Sequence, residues 1–142
     1  MIFNKTNFLI MILQISTLEE IESGCQEIQD TLKTTVSDDA NECVTFGIDL
    51  SVLLARSSKM IADAKFHKDE AVKNSIVKEV GSSLGVPASI LKMLIDASCK
   101  RENYLVNWCE RLNASLTHSI DFLRTVISKQ KAEMQSFGNN RT

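Results

Sequence analysis

The chain has 142 residues, 16 Lys+Arg against 18 Asp+Glu, 44% hydrophobic and 24% charged residues, the make-up of one soluble globular domain. One proline and five glycines leave too few turn residues for a sandwich or barrel, which needs a turn about every 8–12 residues. The net charge of −2 hides a split: residues 1–50 carry net −7 and residues 51–142 net +5, an asymmetry that fits a polyanion-facing segment beside an acidic one.

Residues 1–15 read as an N-terminal extension. Its apolar run, residues 8–13, follows Lys5 like a weak signal peptide, but it lacks an Ala-x-Ala site and is too short to span a membrane. Met11 as an internal start, or a strap docked on the bundle, are the alternatives. Sequons occur at Asn4, Asn113 and Asn140, with Asn113 in mid-helix, which disfavours a secreted protein.

A single helical domain is expected over residues 16–138, and residues 139–142 as a disordered tail. Ser16 and Glu19 form a capping-box pattern ahead of Leu18, Ile21, Cys25, Ile28 and Leu32, spaced by three and four. Ser37 or Asp38 opens a long helix over residues 39–80, whose seam is Cys43, Gly47, Leu50, Leu54, Ser57, Ile61 and Ala64. The small residues Gly47, Ser57 and Ala64 predict close approach of a neighbouring helix and self-association. The polar run 66–70 is where this helix is expected to bend.

Residues 81–87 hold two glycines and the proline and read as a loop. Pro87 suits the first turn of a short helix over residues 88–98, and residues 96–102 lead through a kink into the last helix. That helix, residues 102–137, places Leu105, Trp108, Cys109, Leu112, Leu116, Ile120, Leu123 and Ile127 on one face, with Gly138 placed to end it. The fold class predicted is all-α: an elongated bundle of two helical hairpins with a long central and a long C-terminal helix.

Of the four cysteines, Cys25, Cys43, Cys99 and Cys109, Cys25 and Cys109 sit on apolar stripes as small buried hydrophobes, and the set reads as reduced thiols. No Cys/His spacing suits zinc, Ser119 beside His118 lacks a third triad partner, and no Gly-rich loop follows a strand, so no metal, cofactor or enzymatic activity is expected. A second series on the last helix, Tyr104, Arg111, His118, Phe122, Thr125 and Lys129, is basic with interleaved aromatics. A single nucleic-acid strand asks for that combination, cations for phosphate and flat rings for bases. Arg56, Lys59, Phe66 and Lys73 form a comparable set on the long helix.

Residues 55–67 (ARSSKMIADAKFH) and 104–129 (YLVNWCERLNASLTHSIDFLRTVISK) resemble small helical proteins of tailed-phage recombination and replication modules. The layout is similar to UvsY-type recombination mediators over residues 17–134: an acidic first helix, a long central helix, a loop, and a last helix mixing aromatic, apolar and basic residues. The resemblance implies a cytoplasmic phage or prophage protein that oligomerises, binds single-stranded DNA, and helps load a recombinase onto strands coated by single-strand-binding protein. It implies Lys59, Lys65, Lys68, Arg111, Arg124, Lys129 and Lys131 as DNA-facing cations, joined by His118 and Phe122 from the stripe. Two other readings stay open: a protein-binding helical adaptor or inhibitor, such as a phage anti-defence factor, and a secreted cytokine-like bundle with two disulfides.

Overall fold

The structure, a computed structural model, describes residues 14–80 and 85–139. The expected extension up to residue 13, with its apolar run and Met11, residues 81–84 of the loop, and residues 140–142 of the tail lie outside the described residues. Among the described residues four helices follow in order: α1 (Leu18–Leu32), α2 (Ala40–Val80), α3 (Ala88–Ser98) and α4 (Lys100–Asn139). Every regular element among the described residues is helical, so the all-α class with long central and C-terminal helices holds. None of these helices is long and apolar enough to cross a membrane.

The first cap sits one residue later than expected. Thr17, not Ser16, accepts the Glu20 N–H at 3.2 Å, while the Glu20 carboxylate accepts the Thr17 N–H at 2.8 Å. Both pairs match the capping pattern, and tertiary contacts choose between them. Ser16 is held extended because its N–H donates to Asp63 Oδ2 at 3.0 Å and its carbonyl accepts from His67 Nε2 at 2.7 Å. Asp39 caps α2, its Oδ1 accepting the N–H groups of Asn41 and Glu42 at 2.8 and 3.0 Å.

Helix α2 runs unbroken through residues 66–70, where a bend was expected. Pro87 stands at the cap of α3, with φ −57°, rather than inside its first turn. The expected kink is one residue wide, at Cys99 (φ −105°, ψ 24°). Helix α4 continues through Gly138 to Asn139, since that glycine stays helical instead of taking the left-handed conformation that closes a helix.

Pairings along the helices fix their directions. Gln130 meets Asp38 just ahead of α2, Asn113 meets Ser57, and Glu110 meets Lys65, so α2 and α4 lie antiparallel over most of their length. Helix α1 packs in the crease between them, antiparallel to α2 and parallel to α4: Arg56 binds Glu27 at 2.6 Å, and Arg101 binds Glu19 and Glu22 at 3.1 and 3.3 Å. Helix α3 packs against α2, where Ser98 meets Ser75 toward the C-terminal end of that helix.

The three predicted seams meet in one core. Ile21, Cys25 and Ile28 of α1, Cys43, Leu50 and Ala64 of α2, and Leu105, Cys109 and Leu116 of α4 are each at most 1% exposed. Full burial of such a Leu or Ile contributes about 1.5–3 kcal/mol. Gly24 lies where α1 crosses α2, since a Cβ there would stand 2.9 Å from Met60 Cε, inside contact distance. The roughly 1 kcal/mol cost of a mid-helix glycine is offset by that close approach. Ser57 and Ala64, expected to admit a neighbouring helix, do so within the chain and are 0% exposed.

Candidate nucleic-acid interface

The stripe on α4 stands away from the core. At 100° per residue Tyr104, Arg111, His118, Phe122 and Lys129 fall within about 20° of one line, and all five are exposed. Tyr104 and Phe122 are 60% and 58% exposed, so neither ring is a core edge. Tyr104 leans on the Trp108 ring at 5.7 Å between centroids, while His118 and Phe122 border a cleft of about 230 Å³ with Leu32, Val36 and Phe46. Arg111 has no ion-pair partner among the described residues, and Lys129 meets Glu133 only at 3.9 Å.

The other expected cations are dispersed. Arg124 and Lys131 lie about 140–160° around α4 from that line, and Arg124 is held by Asp121 at 3.1 Å. Lys59 and Lys65 are about 120° apart around α2, and each meets a carboxylate: Lys59 with Asp63 at 2.5 Å, Lys65 with Glu110 at 2.8 Å. Lys68 is half-buried, with no ion-pair partner among the described residues. In the comparable set on α2, Arg56 and Lys73 also pair with carboxylates, while Phe66 is 47% exposed. The structure therefore aligns Arg111, His118, Phe122 and Lys129 with Tyr104, and sets Lys59, Lys65, Lys68, Arg124 and Lys131 on other faces.

Asp63 was not singled out in the sequence, yet it anchors the start of the described chain to α2. It is 7% exposed and accepts from both Lys59 Nζ and the Ser16 N–H. Burial raises its pKa, but hydrogen bonds from Lys59 and Ser16 outweigh that and hold the carboxyl below the usual carboxylate range. A pKa lower in the folded than in the unfolded chain stabilises above the unfolded value near 3.9 and loses that contribution as acid protonates the folded form. Asp63→Asn is expected to lower stability by about 1–3 kcal/mol at pH 7, with the gap from the unsubstituted chain narrowing at pH 3, read by urea unfolding at both values.

Among the described residues no group of three or more His, Cys, Asp or Glu is arranged to hold a metal ion. All four cysteines are free and buried. Cys25 and Cys109 meet across α1 and α4 at 3.3 Å between sulfurs, and that hydrogen bond together with burial keeps the Cys25 thiol protonated, far above the usual thiol range. Cys43 and Cys99 lie at opposite ends of the bundle. Ser75, beside Cys99, is about 48 Å along α2 from Cys43, against the 7 Å limit between bridged Cα atoms. A Cys43–Cys99 bridge is thereby ruled out.

A further feature escaped the seams. On the side of α2 away from α1, Val44, Ile48 and Val52 wall a groove of about 520 Å³, closed on the other side by Ile120, Leu123 and Ile127 of α4. Its signal in the sequence is a charge gap, since residues 43–55 contain a single charged residue, Asp49. No family model, curated protein or solved structure matches the chain.

Proposed function

We propose that the chain is a non-enzymatic helical accessory protein that binds single-stranded DNA along the outer stripe of α4, in the manner of the recombination mediators it resembles. The observation that carries this reading is the pair of exposed rings, Tyr104 and Phe122, on the same line as Arg111 and Lys129. An aromatic ring open to water gains nothing from its own core, whereas each base stacked on one is worth about 1–3 kcal/mol. The acidic helix α1 beside the stripe repels phosphate, which confines a strand to α4. A recombinase or a single-strand-binding protein is the accompanying protein partner on this reading, in the cytoplasm of a host cell.

Fluorescence anisotropy with a labelled oligonucleotide at several salt concentrations tests the proposal. Affinity is expected to fall with salt, with a slope of about 0.7 per phosphate contacted. Replacing Arg111 and Lys129 together by alanine should weaken binding and flatten the slope. Phe122→Ala should weaken binding and leave the slope unchanged, because stacking is not ionic. All three side chains are exposed, so helicity by circular dichroism should persist. Absence of binding at low salt overturns the proposal.

A second reading, a protein-binding adaptor or inhibitor with no nucleic-acid role, is favoured by α3. None of its eleven residues is buried; Ile90, Met93 and Leu94 are 47%, 70% and 44% exposed, and Ile76 and Val77 near the end of α2 are 42% and 70% exposed.

A further inference from the structure

We propose that the outer face of α2 between Cys43 and Ala55 is the contact through which two copies of this chain form a two-fold dimer. The face carries two parallel rows. Val44, Ile48 and Val52, four residues apart, form a ridge that is 46%, 60% and 65% exposed. Gly47, Ser51 and Ala55, offset by three residues, form the small-residue row beside it and floor the groove against α4. Rows of this kind are the ridges and grooves that helices interlock, here at a crossing of about −50° when both helices use their four-residue rows. The surface is its own complement: the ridge of one copy enters the small row of the other, and the exchange is reciprocal about a two-fold axis.

Three observations point to a second copy as the occupant. A two-fold axis brings every charge near it against its own duplicate, and the two rows contain no charge; each row ends on a cation already neutralised inside its own chain, Arg56 by Glu27 and Lys59 by Asp63, and Arg124 at the α4 edge of the groove is held by Asp121. The one polar side chain in the rows is satisfied, because Ser51 Oγ donates to the Gly47 carbonyl at 2.8 Å, so covering it strands no donor. Gly47 itself is not required by the fold. A Cβ there would lie 3.6 Å from Leu123 Cδ1, an ordinary contact, yet the position keeps the residue that weakens a helix most after proline.

Residues 43–55 span about 20 Å, and α2 with the adjoining turns of α4 is about 20 Å wide, a face on the order of 400 Å² in projection before corrugation. This lies below the roughly 600 Å² per partner at the lower end of specific interfaces, so the contact is a weak one. Such a dimer forms with rising concentration rather than being obligate. The stripe with Arg111 and Lys129 lies on another side of α4 and stays open, so pairing and strand binding are separable.

Sedimentation equilibrium of the full chain from about 1 to 200 µM tests the contact. The weight-average mass is expected to rise from 15.8 kDa toward twice that value. Ile48→Glu sets two like charges against each other at the axis and should hold the chain monomeric throughout. Gly47→Leu fills the small row and should do the same, while Val77→Asp, exposed near the far end of α2, should leave association unchanged. Circular dichroism checks that each variant is folded; should Gly47→Leu fail that check, Ile48→Glu alone decides, its side chain being 60% exposed. A monomer at every concentration overturns the proposal and leaves the groove to residues 1–13 or to another protein. Undiminished dimerisation of folded Ile48→Glu overturns it as well, by moving the contact elsewhere.

Discussion

Replacing Leu116 by alanine is expected to lower the unfolding free energy by about 2–5 kcal/mol, out of the 5–15 kcal/mol that holds a typical domain. Leu116 is 0% exposed and projects from α4 into the core shared with α1 and α2, where the side chains around it cannot all close the void. The cost is the lost transfer of the removed atoms plus the cavity left behind. Urea unfolding followed by circular dichroism checks this, with a lower midpoint and an unchanged slope. Leu94→Ala provides the contrast: that side chain is 44% exposed on α3, and its loss should change stability by about 0.5 kcal/mol or less. Equal effects of the two substitutions would contradict the assignment of the core.

Trp108→Ala is expected to cost about 3 kcal/mol, toward the lower end of buried aromatic truncations. The sequence places Trp108 at the centre of the apolar face, and the structure moves it to the rim: it is half-buried, packed against the core from the α1 side. Its indole N–H donates to Gln29 Oε1 at 3.1 Å, and its ring supports Tyr104. Trp108→Phe keeps most of the packing and removes the donor, so its cost should be about 1 kcal/mol, close to that of one hydrogen bond. Gln29→Ala combined with Trp108→Phe should add little beyond the single change, because both remove the same bond. Unaltered stability of Trp108→Ala would make the ring a free surface group, available for base stacking beside Tyr104.

The helices and their inward faces were legible in the sequence. Spacings of three and four at Ile21, Cys25 and Ile28, at Leu50 and Ser57, and at Leu105, Leu112 and Leu116 follow from the 3.6-residue turn, which is a local property of the chain. Burial of those residues therefore matched the pattern. The sequence pattern places the first cap at Ser16, one residue before the observed Thr17, because contacts with Asp63 and His67, about fifty residues away, decide it. The end of α4 was misjudged for a related reason, since glycine permits a helix to close without compelling it.

Residue order alone thus determined an all-helical chain, the faces its helices turn inward, and a line of cations and rings on α4. Only the tertiary structure decided which charges remain free: Lys59, Lys65 and Arg124 each meet a carboxylate, and Arg111 does not. It also decided that Ser57 and Ala64 are consumed inside the bundle while Val44, Ile48 and Val52 remain open. The reason is geometric. A helix's own periodicity sets which residues share a face, but the axial offset and rotation between packed helices set what each face meets, and those depend on side-chain fit across the whole interface.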